Sequence, residues 1–410
     1  MSGMTLSAGW AMLREPRWAA LATSFVMVVL VQGVSSSFPV FLLPLSAELG
    51  GLRSVAAAAF SAHNLATGLT ATVVDGLMAR FGERAVLVAG ALILGLGVAL
   101  AGRSGSAGEL LLWFGVVAGA GGGFLGSVAQ TVMLSRWFPT ARGAVNGIAL
   151  SGMGLGIFLF APLSAYLIAR VGWRGAFVAL GVGTALLLLP AAALTPSRPP
   201  EPSPVTAPDS SPARADRLGA ILGTTRFWLF AAAFFFTPVS NFMVTTHQVA
   251  HLVEAGFDAG RAAAAFGLVG LLSAIGRIAF GTLSDRWGRV PAALLSYVAT
   301  AGGTLALLML APGSPGWLFW AYVLPFGLTL GARGPIVAAL TADVYRGRNY
   351  GTVLGLITFG NRLGSAIGPW LGGVIHDLTG SYRAAFTGSI VALSIAAGAF
   401  AAAGRRSPRA

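Results

Sequence analysis

The sequence predicts an all-α membrane protein with twelve transmembrane helices arranged as two six-helix pseudo-repeat bundles. Composition is the first reason: 56% of the 410 residues are hydrophobic, 10% are charged and the mean hydropathy is +0.79. This apolar share is far above that of a soluble domain. The second reason is that apolar stretches long enough to cross a bilayer recur along the chain. The third is an internal repeat, described below.

Twelve predicted spans follow from the hydrophobic runs and from the charged or turn residues that end them. In chain order they cover residues 18–45, 54–80, 84–103, 109–136, 142–169, 174–195, 225–253, 261–284, 289–311, 316–342, 349–375 and 383–403. Gly and Ala are abundant in these runs, and small residues let membrane helices approach closely. The glycine-rich run 119–126 fits this packing role, because it lacks the lysine of a phosphate-binding loop.

One stretch differs from the rest of the chain. Residues 196–216 read PSRPPEPSPVTAPDSSPARAD, which is rich in Pro and Ser and cannot bury a core. We therefore predict an N-terminal bundle over 1–195, a flexible cytoplasmic linker over 196–217 and a C-terminal bundle over 218–410.

The basic residues predict the orientation. All 26 are arginines, and the chain has no cysteine, which excludes disulfides and thiolate metal sites. Seventeen arginines fall on the side that carries both termini, six on the other side and three inside spans. This asymmetry predicts that both termini are cytoplasmic. It also argues against a nucleic-acid partner, despite the net charge of +13. We expect a monomer in a bacterial inner membrane, with the lipid bilayer around it.

The two halves repeat each other at an offset of about 208 residues, as in transporters built from parallel repeats. Pro162 corresponds to Pro369, Gly172 to Gly380 and Phe177 to Phe386, within a residue or two. Such a repeat predicts a substrate site between the halves, near the middle of the membrane. At the same offset Arg362 replaces Gly154, and Arg333 replaces Leu125, so these charges occur in the second half alone.

Arg277, Arg333 and Arg362 lie inside predicted spans, where a cation costs about 2.5–3.5 kcal/mol on insertion scales. No acidic residue lies near the middle of any span to pair with them. The simplest missing partner is an anion that comes and goes, and a guanidinium suits a carboxylate because it donates two parallel hydrogen bonds. For Arg333 an alternative stays open: it could satisfy backbone groups freed by the nearby Pro335.

The loop after the eighth span identifies a family. Residues 281–289 read GTLSDRWGR, which resembles the G-x-L-x-D-R-x-G-R signature of the major facilitator superfamily. The resemblance implies a conformational gating role for Asp285, Arg286, Gly288 and Arg289. In the first-half copy, Asp75 replaces the first glycine and Ala79 the aspartate, so the usual gating contact is not expected there.

A narrower resemblance covers the first, fourth and fifth spans. The runs 37–41 with 44–45, and 136–138 with 142–174, are similar to the monocarboxylate transporter and oxalate/formate antiporter branch. The resemblance implies that Arg277 binds the substrate carboxylate and that Arg362 matches a second basic residue of the oxalate exchangers. Monocarboxylate members carry an acid one turn before the eighth-span arginine, where this chain has Ser273. This departure argues against proton symport of that type.

Three further polar residues are candidates for the substrate site. His247 shares a helical face with His251 and Glu254. A metal site there is poorly supported, so we predict that His247 faces the cavity as a hydrogen-bond donor or proton carrier. Gln130 lies on the fourth span, which commonly lines the cavity in this family, and Asn361 precedes Arg362. For both, hydrogen bonding between helices is the alternative.

Together these residues predict a secondary active transporter of small mono- or dicarboxylates, which works by alternating access. We expect no catalytic residues, cofactor or metal, because no nucleotide-binding motif or catalytic cluster is present in the sequence. The coupling is either exchange or proton symport, so protons are a second candidate partner. A drug or metabolite exporter of the same fold and a transport-inactive membrane sensor are the alternatives.

Overall fold

The computed structural model describes residues 15–138, 142–196, 221–345 and 350–405. Apart from Pro196, the predicted linker 196–217 lies outside these ranges, so the predicted division into bundles stays a prediction at that boundary. Within the described ranges every regular element is a helix. Eight helical segments there are long and apolar enough to cross a membrane, and one of them contains two spans.

The first six spans, called here the first half, contain several broken helices. Span 1 comprises Pro16–Ser36 and Phe38–Glu48, span 2 Arg53–Ala71 and Val74–Phe81, and span 3 Glu83–Ala101. Span 4 comprises Ala107–Leu110, a π-helical turn Leu111–Ala118, Gly119–Leu125 and Ser127–Trp137. Spans 5 and 6 are two helices that follow each other directly within Arg142–Leu194 and are divided by a kink at Gly172, which has a φ of 70°. That dihedral favours glycine.

The last six spans, called here the second half, are more regular. Span 7 is Thr225–Glu254, span 8 Ala259–Trp287, span 9 Arg289–Met309, span 11 Tyr350–Thr379 and span 12 Tyr382–Arg405. Span 10 is broken into Gly316–Leu330 and Arg333–Val344. The twelve predicted spans are therefore confirmed, with boundaries displaced by a few residues.

Breaks inside spans 1, 2, 4 and 10 were not predicted, because hydropathy is uniform across them. At span 1 the new helix begins just after Ser37 with a proline in its first two positions, where a missing N–H costs nothing. At span 4 Gly126 is extended, with a ψ of −171°. Broken helices in a membrane are tolerated where the protein covers the freed backbone groups.

Close packing by glycine is confirmed in the first half. A Cβ added to Gly121 would lie 2.3 Å from the backbone nitrogen of Leu94 on span 3. A Cβ added to Gly123 would lie 1.8 Å from the hydroxyl of Thr70 on span 2. The run 119–126 therefore packs against two neighbouring spans, as expected of small residues in membrane helices.

The two halves meet along three pairs of spans: 5 with 8, 2 with 11 and 1 with 7. In the described part of the chain these contacts include a polar group toward one side of the molecule, called here the sealed side, where Glu48, Arg53, Glu254 and Asp377 lie. The opposite side carries the loops after spans 2 and 8 and is called here the open side. One apolar cluster crosses both halves toward the sealed side, whereas a second cluster, which includes Phe230, belongs wholly to the second half.

Toward the open side the halves diverge. Phe359 and Gly355 lie on the same face of span 11 as Arg362; Phe359 is 53% exposed and a Cβ added to Gly355 would meet nothing within 4 Å. On span 2 the same is true of Gly76, two turns beyond Gly68. The described helices thus enclose a cleft between the halves that widens toward the open side.

Candidate functional site

Arg277 points from span 8 across the interface between the halves. Both of its terminal nitrogens lie 3.7 Å from the sulfur of Met153 on span 5, in the first half. Its Nε is buried without a hydrogen-bond partner in the described part of the chain. A thioether is a weak acceptor for a cation, so the described structure leaves the guanidinium without a matching anion.

Arg362 reaches the same interface from span 11. Its aliphatic stem covers Gly68 on span 2, because a Cβ added to that glycine would lie 3.2 Å from Cγ and Cδ of Arg362. Among the described residues no hydrogen bond or ion pair of its guanidinium is found, and the side chain is half-buried. Arg277 and Arg362 therefore both lie on the second half and both touch the first half.

These two arginines mark the point at which the cleft begins. Between this pair and the sealed side, spans 5 and 8 touch at Gly154 and Gly270, where added Cβ atoms would lie 2.4–2.5 Å from the opposite span. Between the pair and the open side, a Cβ added to Gly281, one turn beyond Arg277, would meet nothing within 4 Å. The pair thus lies at the closed end of the cleft, between the two halves.

Arg333 has a different environment. Only 4% of the residue is exposed, and its terminal nitrogens donate to the Thr300 hydroxyl and the Asn241 side-chain oxygen, each at 3.0 Å. One of them also lies 3.4 Å from the Ser296 carbonyl, and the guanidinium carbon lies 4.8 Å above the Tyr297 ring. These partners come from spans 7 and 9, so Arg333 links span 10 to both of these spans within the second half.

A cavity of about 160 Å³ lies in the second half beside Arg333. Its lining combines an apolar part from spans 7 and 10 with a polar part formed by Thr237, Asn241, Tyr297, Arg333 and Asn361. Asn361 is half-buried there. Two of the predicted residues, Arg333 and Asn361, therefore lie on one cavity wall. Asn361 directly precedes Arg362 in the sequence.

His247 is placed away from this cavity. It is fully buried, its Nε2 lies 2.8 Å from the Pro369 carbonyl on span 11, and its ring packs on Tyr382 of span 12 at a centroid distance of 5.2 Å. The bond to a carbonyl requires a proton on Nε2. The geometry is that of a packing contact among spans 7, 11 and 12, and the predicted contact with substrate stays a prediction.

The side chain of Gln130 forms hydrogen bonds with span 1 and within its own span. It is fully buried, accepts a hydrogen bond from the Ser24 hydroxyl on span 1 at 2.6 Å, and donates to the Leu125 carbonyl at 2.9 Å. The second bond crosses the break at Gly126 and satisfies a carbonyl that the extended glycine releases. The geometry corresponds to the alternative weighed for it, a bond between helices.

The loop between spans 8 and 9 is tightly held. Arg289 pairs with Asp285 and donates to the Ser284 hydroxyl at 2.9 Å, while Gly288 has a φ of 96° that favours glycine. Arg286 is exposed.

In the first-half copy of this loop a different set of contacts is present, and the expected loss of the usual gating contact stays a prediction. Asp75 pairs with Arg136 at 2.9 Å, and Arg136 also contacts Glu83 at 3.1 Å. The aspartate that replaces the first glycine of the signature therefore supplies a carboxylate that Ala79 cannot, from the preceding turn of the same helix.

Sequence reasoning did not find the residues that surround the arginines. Met153 and Gly68 gave no signal, because a methionine or glycine in a span is ordinary. Span 9 did carry one: Ser296, Thr300 and Thr304 follow each other at four-residue spacing and form a polar stripe on one helical face. That stripe marks the side of span 9 to which Arg333 is bound.

Comparisons with known proteins agree with this architecture. The family model described as Major Facilitator Superfamily matches residues 21–332. A solved structure, a bacterial homologue of the human lysosomal transporter Spinster in an inward-facing and unoccupied conformation, superposes with a TM-score of 0.69 at 16% identity. The match covers 96% of this chain and 98% of that one. It shows the fold.

Several proteins that are similar in sequence are named as monocarboxylate transporters. Monocarboxylate transporter 13 of Bos taurus is 28% identical over 94% of this chain and 87% of its own length. Monocarboxylate transporter 11 of Homo sapiens is 30% identical over 91% and 80%. An uncharacterised MFS-type transporter of Escherichia coli is 26% identical over 86% of each chain. The chain is therefore a multi-pass membrane protein that belongs to the major facilitator superfamily, in the branch that contains the monocarboxylate transporters.

Proposed function

We propose that the protein is a secondary active transporter of small organic anions, which binds a mono- or dicarboxylate between its two halves and moves it by alternating access. The observation that carries the proposal is the pair Arg277 and Arg362 at the closed end of the cleft. Both are charged, both touch the opposite half, and neither has a protein carboxylate among the described residues. The names of the monocarboxylate relatives support the same substrate class.

In this proposal Arg277 holds one carboxylate through two parallel hydrogen bonds, which a planar guanidinium donates at fixed spacing. Arg362 holds the second carboxylate of a dianion or the other side of a single one. Asn361 contributes a polar contact from the cavity wall, and Arg333 fixes the shape of that wall. His247 and Gln130 maintain the packing of the spans around the site.

Coupling follows from the charge of the empty site. A carrier that closes around two uncompensated guanidinium groups pays a desolvation cost, which a bound carboxylate offsets. The position of an interior acid in proton-coupled relatives is here Ser273, whose hydroxyl donates to the Gly270 carbonyl of its own helix. We therefore favour obligatory exchange of anions over proton symport.

The surrounding membrane and orientation are part of the proposal. The distribution of arginines supports both termini in the cytoplasm. The similarity to a bacterial MFS-type transporter supports a bacterial inner membrane. The open side then faces the cytoplasm and the sealed side faces outward.

Counterflow in proteoliposomes tests the proposal. Vesicles loaded with an unlabelled carboxylate are diluted into the same labelled compound, for a panel of mono- and dicarboxylates. Arg277→Lys keeps the charge but loses the paired donors, so we expect a sharp loss of counterflow at unchanged expression. The matched control is Arg170→Lys, because Arg170 is exposed and stacks on Tyr166 of its own span at 5.3 Å.

Two results would contradict the proposal. One is counterflow of Arg277→Lys and Arg277→Ala equal to that of the unsubstituted protein. The other is the absence of counterflow for every carboxylate of the panel. Equal uptake into loaded and empty vesicles at fixed pH would keep the substrate class and reject obligatory exchange.

A further inference from the structure

The break in span 10 connects Arg277 to the cavity beside Arg333. The first helical segment of this span ends at Leu330, and the second begins at Arg333. A Cβ added to Gly331, within the break, would lie 3.4 Å from both Nε and Nη2 of Arg277. Leu330, its neighbour in the chain, lines the cavity. Because consecutive Cα atoms are about 3.8 Å apart, the Arg277 guanidinium and the cavity wall lie about one residue from each other at this break.

Span 11 brings the second arginine to the same cavity. Arg362 directly follows Asn361, which lines the cavity. Phe242 of span 7, another lining residue, lies against Phe60 of span 2 at a ring centroid distance of 6.4 Å. Since span 2 belongs to the first half, the cavity adjoins the interface between the halves at which both arginines lie. An anion bound by the two arginines is therefore next to the cavity.

The cavity is large enough to hold a ring. Its volume is about 160 Å³, and an engineered apolar cavity of about 150 Å³ in another protein binds benzene. A carboxylate as small as glycolate would leave this space empty. Apolar surface favours a hydrocarbon group over water, and it is supplied by Phe234, Pro238, Phe242, Leu330 and Val337.

Two amide side chains on the cavity wall keep hydrogen-bonding atoms that no neighbour uses. In the described part of the chain no hydrogen bond of the Asn361 side chain is found, and the Asn241 side chain uses only its oxygen, which accepts from Arg333 at 3.0 Å. Thr237 and Tyr297 are instead bonded to each other at 2.8 Å. An amide offers both a donor and an acceptor, so this wall matches a hydroxyl group, which also offers both.

We propose that this cavity is the subsite for the apolar group of the transported anion, and that the preferred substrates are carboxylates that carry a hydroxylated ring. The inference rests on the proposed function, because Arg277 and Arg362 hold the carboxylate. The ring extends past the break in span 10 into the cavity, and its hydroxyl group forms hydrogen bonds with the amides of Asn361 and Asn241. Charge thus fixes one end of the substrate, and the size of the cavity selects the other.

Counterflow of three labelled compounds tests the subsite. Glycolate has no ring, phenylacetate adds one, and p-hydroxyphenylacetate adds the hydroxyl group. The concentration dependence of each counterflow gives an apparent affinity. We expect phenylacetate to bind at least about tenfold more tightly than glycolate, because even one methylene group in a fitted apolar pocket is worth about tenfold. For p-hydroxyphenylacetate we expect a further gain of about fivefold, from hydrogen bonds to the amides.

Two substitutions change the size of the cavity in opposite directions. Gly334 lines the cavity and is exposed, and a Cβ added there would meet nothing within 4 Å, so Gly334→Leu fits and occupies space. It is expected to lower the affinity for phenylacetate relative to glycolate about tenfold. Val337→Ala enlarges the cavity, so it is expected to raise the affinity for naphthylacetate relative to phenylacetate about fivefold.

Gly302→Leu is the matched control for Gly334→Leu. Gly302 lies on span 9 of the same half and is exposed, and a Cβ added there also meets nothing within 4 Å, but it does not line the cavity. The ratios of affinities should therefore stay as they are in the unsubstituted protein. Each ratio compares two compounds on one preparation, so a loss of folded protein cancels.

Asn361→Leu tests the polar wall, because it removes the amide and keeps a side chain of similar size. The preference for p-hydroxyphenylacetate over phenylacetate is expected to disappear, while phenylacetate still binds more tightly than glycolate. A hydroxyl preference that persists in Asn361→Leu would overturn the contact between this amide and the hydroxyl group.

The outcomes separate the subsite from the proposed function. Equal affinities for glycolate and phenylacetate in the unsubstituted protein would overturn the subsite and retain carboxylate transport. Ratios that are unchanged in both Gly334→Leu and Val337→Ala, or that shift equally in Gly302→Leu, would do the same. If Gly334→Leu does not fold, Val337→Ala decides alone. Absence of counterflow for every carboxylate would reject the proposed function and the subsite with it.

Discussion

Arg333 and the pair Arg277 and Arg362 carry the same charge in the same half of the molecule, yet their surroundings differ. Arg333 is almost fully buried and finds acceptors on Thr300 and Asn241, with an aromatic face beside it. The other two lie at the boundary between the halves, where Arg277 finds only a thioether and Arg362 covers a glycine. A buried charge with its own partners stabilises one half, whereas a charge without partners at a moving interface is available to a ligand.

The comparison teaches that burial alone does not identify a binding arginine. In the proposed alternating-access mechanism, a guanidinium whose donors are used by its own half keeps the same neighbours when the halves move. One that touches the opposite half would exchange neighbours in every cycle. Variants of the three arginines therefore distinguish a binding arginine from a structural one, if transport and stability are measured separately. The largest expected effect comes first and the smallest last.

Arg277→Ala should reduce the initial rate of carboxylate counterflow about 100-fold, because truncating one partner of a desolvated charge pair costs about 2–5 kcal/mol. The temperature of thermal unfolding should stay the same or rise, since an unpaired cation is removed from the protein interior. Counterflow in vesicles and unfolding in detergent are measured on the same preparation. A fall in the unfolding temperature as large as that of the Arg333 variant below would remove the distinction.

Arg362→Gln should weaken the binding of dicarboxylates about tenfold more than the binding of monocarboxylates, because one additional charge-assisted contact is worth about 1.5–3 kcal/mol. Competition of unlabelled compounds against a labelled one in counterflow gives both affinities. Equal losses for the two classes would mean that Arg362 attracts anions in general and does not hold the second carboxylate.

Arg333→Leu should lower the free energy of unfolding by about 1–3 kcal/mol, because Asn241 and Thr300 lose a buried partner. Relative affinities for mono- and dicarboxylates should change little if the folded protein keeps its cavity wall. Thermal unfolding and competition assays check both parts. Loss of carboxylate binding at unchanged stability would instead place Arg333 in the substrate site.

Gly68→Ala should change carboxylate affinity only a few-fold, because the added Cβ meets the flexible stem of Arg362 at 3.2 Å and displaces it slightly. Gly147→Ala is the matched control, since a Cβ at that helical glycine meets nothing within 4 Å. Affinities of the two variants are compared in the same competition assay. An effect of Gly147→Ala equal to that of Gly68→Ala would show that the contact with Arg362 is not the cause.

Much of the fold could be predicted from sequence, because the bilayer imposes a length and a polarity on every span. The spans, the loop signature after span 8 and the close packing of 119–126 are present in the structure as predicted. The breaks at Ser37, Gly126 and Gly331 could not be predicted, because hydropathy is uniform across them. At Gly126 the break leaves the carbonyl of Leu125 to accept a hydrogen bond from the Gln130 side chain, a contact that the pattern of hydropathy does not reveal.

The site was predictable in composition but not in arrangement. The sequence by itself determined that three cations lie at membrane depth in the second half, because hydropathy and the internal repeat are properties of the chain. Only the tertiary structure decided which of them are paired. The acceptors of Arg333 are 33 and 92 residues away in sequence, and the neighbours of Arg277 and Arg362 come from the opposite half. A hydrogen bond requires contact in space, and in this fold contact in space is set by how the helices pack rather than by their order along the chain.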